Sequence, residues 1–129
     1  MYLKEIMSTK IESIGAGQSL ERARRRMQER GIHHLVVTKR GRVIGIISSE
    51  SVEVHLAEGV EKVEGAVSRR VPIGAPAMTV GQAARLLRGR TIGALPVFNG
   101  QRLVGIVTIS DLLDVLGRRA PRRSYAAAS

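Results

Sequence analysis

Displaced by sixty residues, the second half of this 129-residue chain overlays on the first without a gap. Ser19-Leu20-Glu21-Arg22-Ala23 meets Thr79-Val80-Gly81-Gln82-Ala83, and Ile32-His33-His34-Leu35-Val36-Val37 meets Ile92-Gly93-Ala94-Leu95-Pro96-Val97. Val43-Ile44-Gly45-Ile46-Ile47-Ser48 meets Leu103-Val104-Gly105-Ile106-Val107-Thr108. Self-similarity at a fixed period means one supersecondary unit used twice. A chain of this length suits one compact domain, so the two copies must share their packing.

Each copy carries the same order of patterns. A short extended segment (Ser8 to Ile14, then Ser68 to Ile73) is followed by a helix that begins at a capping hydroxyl, Ser19 or Thr79. Leu20, Ala23 and Met27, then Val80, Ala83, Ala84 and Leu87, fall at helical spacing. The other faces of these helices are rich in arginine and read as solvated surface. An aliphatic hairpin comes next. In the second copy it runs Ile92 to Phe98, then Leu103 to Val107, with Asn99-Gly100 predicting a type I′ turn. A second helix closes each unit, Ser49 to Leu56 or Ile109 to Leu116, the latter expected to stop at Gly117. The class is therefore α/β (α+β), with β-α-β-β-α repeated. The strands are nearly continuous aliphatic runs, so helices should cover both faces of each small sheet.

Composition narrows the function. There is no Cys, which excludes disulfides, Cys-ligated zinc and thiol catalysis. Aromatic residues make up only 2%, with no Trp and one Phe, so a base-stacking platform is not expected. No apolar run nears the roughly 18 residues that cross a bilayer, and MYLKEIMSTK lacks a signal-peptide core. A soluble, cytoplasmic protein without a membrane partner is the expectation. The net charge of +10 favours anionic partners. Part of it sits in RRAPRRSYAAAS, residues 118–129, which reads as a basic disordered tail carrying Arg118, Arg119, Arg122 and Arg123.

The chemistry concentrates where a hairpin runs into a helix. Thr108-Ile109-Ser110-Asp111 places free N–H groups and a carboxylate at one point, which suits a polar ligand. A carboxylate accepts two hydrogen bonds from a cis-diol. Gly93 and Ala94 would let a flat ring approach the backbone, and Pro96, without an N–H, belongs at a sheet edge. Thr-x-x-Asp is also a capping box, a purely structural use of the same residues. Ser48 and Ser51 are the weaker equivalents, with the acid missing. His33 and His34 on one strand would point to opposite faces and not share a metal; one of them is a candidate phosphate contact. Arg69-Arg70 could neutralise a phosphate or be solvated. Gly15-Ala16-Gly17 is a loop and not a dinucleotide fingerprint, with no strand before it and no third glycine.

The repeated unit, with IHHLVV or IGALPV followed by GIISSES or GIVTISD, resembles the CBS domain family, and the two units resemble a tandem CBS pair, or Bateman module. The resemblance implies two repeats, 1–58 and 59–117, related by pseudo-two-fold symmetry. It implies a regulatory module that is not an enzyme and has no metal or cofactor, binding AMP, ADP, ATP or S-adenosylmethionine between its units. On the matching positions, Asp111 would hold the ribose hydroxyls, with Thr108 and Ser110 beside ribose or phosphate. Gly93, Ala94, Leu95 and Pro96 would line the adenine side, helped by Lys10 and Ile11 crossing from the other unit. A second, weaker site would use Ser48, Ser51, His33, His34, Arg70 and Val71. The resemblance also implies a homodimer and an effector protein that reads the ligand. The alternative is a basic nucleic-acid-binding protein acting partly through its tail.

Overall fold

The computed structural model describes residues 1–90 and 92–119; the rest of the basic tail, from residue 120, lies outside them. The elements are α1 (Leu3–Ile6), β1 (Ser13–Gly15), α2 (Leu20–Arg30), β2 (His34–Lys39), β3 (Arg42–Ser48) and α3 (Ser49–Ala57). A 3₁₀ turn (Val63–Gly65) then leads to α4 (Val80–Leu87), β4 (Ala94–Asn99), β5 (Arg102–Thr108) and α5 (Ile109–Arg119).

The helix starts are the capped ones. Ser19 Oγ accepts the Arg22 N–H at 3.1 Å. Thr79 and Gln82 exchange side-chain-to-backbone bonds of 2.9 and 3.1 Å. Helix α2 ends on Gly31 at φ +62°. Gly117 does not end α5, which continues to Arg119. It lacks the positive φ of a glycine stop, and a glycine inside a helix costs only about 1 kcal/mol.

The hairpin turns differ from the expectation. Lys39 pairs with Arg42 and Asn99 with Arg102, so the two-residue loops are Arg40-Gly41 and Gly100-Gln101. Arg40 and Gly41 both have positive φ, the type I′ pattern, whereas only Gly100 does in the second loop, the type II′ pattern. An irregularity in the ladder between Val97 and Phe98 sets that register, leaving Asn99 as the last strand residue.

The two sheets are unequal. β1 pairs parallel with β2, which pairs antiparallel with β3, while β4 and β5 stand as two strands alone. The extended segment 68–73 does not become a strand; Gly74 alone bridges to Val97. Prolines explain this. In the first unit the Val36 N–H donates to Glu12 O and the Ala16 N–H to Thr38 O. Their counterparts, Pro96 and Pro76, have no N–H, so only the two bonds through Gly74 survive.

Two aliphatic clusters form the core, one per unit, and each takes in a piece of chain that precedes the opposite repeat. Val63 and Ala66 pack with Leu20, Ala23, Leu35, Val37 and Ile47. Leu3, drawn by the repeat boundaries into the first unit, packs instead with Leu87, Leu95, Val97 and Val107 in the second. The chain then crosses back. Ser8 exchanges backbone bonds of 2.9 and 3.0 Å with Ile106 of β5, and Ser68 exchanges bonds of 2.9 and 3.1 Å with Ile46 of β3. The glycine of each Gly-Ile motif makes this passage possible. A Cβ on Gly45 would overlap the Ser68 carbonyl, and one on Gly105 would strike Met7. No helix among the described residues is long and apolar enough to cross a membrane.

Candidate functional site

The crossing carries the segment after Ser8 past β5 to the start of α5. There a cavity of about 330 Å³ is lined by Ser8, Lys10, Ile11, Glu12, Gly31, Ile32, His33, His34, Ile106, Thr108, Ser110 and Asp111. Lys10, Ile11, Thr108, Ser110 and Asp111 thus meet in one cleft, built from a segment of the first unit and a helix start of the second. Asp111 Oδ2 accepts the Thr108 N–H at 2.8 Å, and Thr108 Oγ1 accepts the Asp111 N–H at 3.3 Å. This is the capping box, and it leaves Asp111 half-buried on the cavity wall. Ligation and capping are compatible uses of this carboxylate, because its second oxygen is not engaged in the box.

The remaining expected residues regroup. Ala94, Leu95 and Pro96 are buried in β4 and do not line the cleft. Gly93 faces an adjoining cavity of about 370 Å³. The gap left by its missing side chain is filled by Ile109, whose Cδ1 would lie 2.7 Å from an added Cβ. In their place stand His33 and His34, expected in the weaker site. Both border the cleft and the adjoining cavity. His33 precedes β2, so strand alternation does not govern it. The cause is the parallel pairing of Ser13 with Val36, which lays Lys10, Ile11 and Glu12 beside the chain entering β2.

His33 Nδ1 lies 3.3 Å from Ser49 Oγ. Burial holds the His34 pKa below its ordinary value, and the neighbouring His33 lowers it further against the opposing pull of Glu50. Glu12, also on the wall, is held by Arg30 at 2.9 Å.

The residues expected in the second site do not share one cavity. Arg70 and Val71 line a pocket of about 220 Å³ with Ser68, Pro72, Gly89, Arg90 and Ile92. Ser48 caps α3, accepting the Ser51 N–H at 3.1 Å, and borders the adjoining cavity instead. Ser51 Oγ is taken up internally, 3.2 Å from His55 Nδ1 and 3.4 Å from the Ala66 carbonyl. Ser8, Glu12, Gly31, Ile32 and Ile106 line the cleft without having been expected there; pairing the segment before β1 with β2 would have found Glu12.

Two related units, β-α-β-β-α in the first and lacking the leading strand in the second, exchange their leading segments and enclose a cleft where they meet, which defines a paired-repeat module. The chain belongs to the CBS domain family, whose model matches residues 3–58 and 60–118. The structure is similar to that of the CBS domain pair of protein MJ0100, solved in complex with 5′-methylthioadenosine and S-adenosyl-L-methionine. The TM-score is 0.87 at 25% identity, covering 93% of this chain and 98% of that one. In sequence it is 32% identical over 120 residues to an L-aspartate semialdehyde sulfurtransferase of Methanosarcina acetivorans, covering 91% of this chain. The match spans only 24% of that enzyme. It is 24% identical to the CBS domain-containing protein YhcV of Bacillus subtilis, covering 85% of this chain and 81% of that protein.

Proposed function

We propose that this chain is a regulatory module that binds an adenosine-containing ligand in the cleft between Lys10 and Asp111 and performs no chemistry on it. The observation that carries this reading is the convergence of the crossing segment with Thr108, Ser110 and Asp111 around one cavity of about 330 Å³. Asp111 offers the acceptor for ribose hydroxyls, Lys10 and the two histidines offer donors for a phosphate, and Ile11, Ile32 and Ile106 offer apolar walls for a base. The adenosine ligands bound by protein MJ0100 support the same ligand class. The relatives with enzyme names support the regulatory reading, because this chain matches a quarter of their length or less.

The cleft is walled by both units, so a ligand favours the relative orientation in which both walls reach it. Such a preference is worth about 1–3 kcal/mol in typical allosteric couplings. An effector protein reads the orientation, and two copies associate through their helices.

Calorimetric titration with AMP, ATP and S-adenosylmethionine, at low and moderate salt, tests the reading. One of them should bind saturably and resist salt, and Asp111→Asn should weaken it by tenfold or more, about 1.4 kcal/mol. Binding that ignores the base and vanishes with salt would belong to a basic protein attracting phosphate, and would favour a nucleic-acid partner instead.

A further inference from the structure

The sixty-residue displacement allows the cleft to be compared with its counterpart position by position. Lys10, Ile11, Glu12 and Ile32 of the first correspond to Arg70, Val71, Pro72 and Ile92, which line the pocket of about 220 Å³. The correspondence stops at that edge: His33, His34, Thr108, Ser110 and Asp111 line the first cleft, and none of their counterparts lines the second. In the first cleft Glu12 neutralises Arg30 at 2.9 Å. Its counterpart is Pro72, so Arg90, which corresponds to Arg30, makes no ion pair among the described residues and lines the pocket with Arg70. The other acid is lost as well, since Ser51 replaces Asp111 and turns its hydroxyl toward His55 and the Ala66 carbonyl. No carboxylate lines this pocket. It offers no carboxylate to take both hydroxyls of a ribose diol, and it is smaller than the cleft that does.

We propose that this pocket is a separate site for a small, multiply charged oxyanion, phosphate or diphosphate, held by Arg70 and Arg90 without a nucleoside. Two guanidinium groups present planar forks that match phosphate oxygens bidentately. The exchange of Glu12 for Pro72 is the decisive step, because it releases the second arginine from its acid. The site does not depend on the nucleotide reading of the first cleft.

Titration of the full chain with inorganic pyrophosphate at moderate salt tests it. Saturable binding is expected, weakened about tenfold by either Arg70→Ala or Arg90→Ala, the loss of a charge-assisted hydrogen bond. Pro72→Glu, which returns an acid to Arg90, should weaken it similarly while keeping both arginines. Adenosine, which the first cleft would take up, should not displace the pyrophosphate. The proposal is overturned if no saturable binding occurs, or if binding ignores both arginine substitutions and so reflects the +10 charge alone. Displacement by adenosine would also overturn it by making the first cleft the phosphate site.

Discussion

Asp111 holds the start of α5 and faces the cleft at once, and substitutions can separate the two uses. Asp111→Asn keeps an oxygen for the Thr108 N–H, so it should leave the melting temperature within a degree or two of the parent. Asp111→Ala removes the acceptor of the Thr108 N–H while Thr108 Oγ1 still caps the helix, and should cost about 0.5–1.5 kcal/mol in denaturant titration. Equal stability of the two variants would mean that this half of the capping box contributes nothing. His34 adds a pH dependence. Its folded pKa lies below the ordinary 6.5 because of burial and His33, with Glu50 opposing. Between those values the unfolded chain holds a proton that the folded chain does not. The contribution of His34 to stability is therefore complete above pH 6.5 and declines as pH falls toward the lowered value. Melting curves of the parent should drop more between pH 7.5 and 5.5 than those of His34→Asn; parallel drops would refute the assignment. Thr108 and Asp111 were legible in the sequence because a capping box and a polar helix start share one spacing. His34 was misplaced because its role depends on which strand lies beside it, and that is not a local property.

At the scale of elements, helix starts and strand runs follow local rules, and the misses fall where pairing partners decide. Pro76 and Pro96 are visible in the sequence, but their effect on the second sheet appears only once Val36 and Ala16 are seen donating at the matching positions. Gly45 and Gly105 carry a similar lesson. They read as part of a family motif, and their physical task is to let the crossing segments pass. The two neighbours differ in compliance: Gly45 faces the Ser68 backbone carbonyl, and Gly105 faces the flexible side chain of Met7. Gly45→Ala should therefore destabilise by about 2–3 kcal/mol, near the upper end for overpacking, and Gly105→Ala by about 1 kcal/mol or less. Chemical denaturation of both variants decides this. If Gly105→Ala proves the costlier, the crossing after Ser8 is the more rigid of the two.

For the whole molecule, pseudo-symmetry is most informative where it fails. Leu112 packs in the second core and Val115 is buried, so α5 already spends one face within the chain. Ile109, Leu113 and Leu116, at i, i+4 and i+7, form another apolar face and are 42%, 61% and 60% exposed. The counterparts on α3 are Ser49, Glu53 and Leu56, so no equal stripe exists there. The homodimer proposed above should therefore be centred on α5, with the stripe of one copy against that of the other in an isologous contact. Burying a leucine side chain contributes roughly 1.5–3 kcal/mol, and a two-fold contact counts each one twice. Leu113→Glu should weaken association by well over tenfold, since every 1.4 kcal/mol is a factor of ten. Light scattering across a concentration series should find the parent as a dimer and the variant as a monomer, with adenosine-ligand binding retained because the cleft lies elsewhere. Glu53→Ala, the same position on α3, should leave the dimer intact. A dimer that survives Leu113→Glu and dissociates in Glu53→Ala would place the contact on the first unit instead, and a parent that is monomeric at all concentrations would remove it.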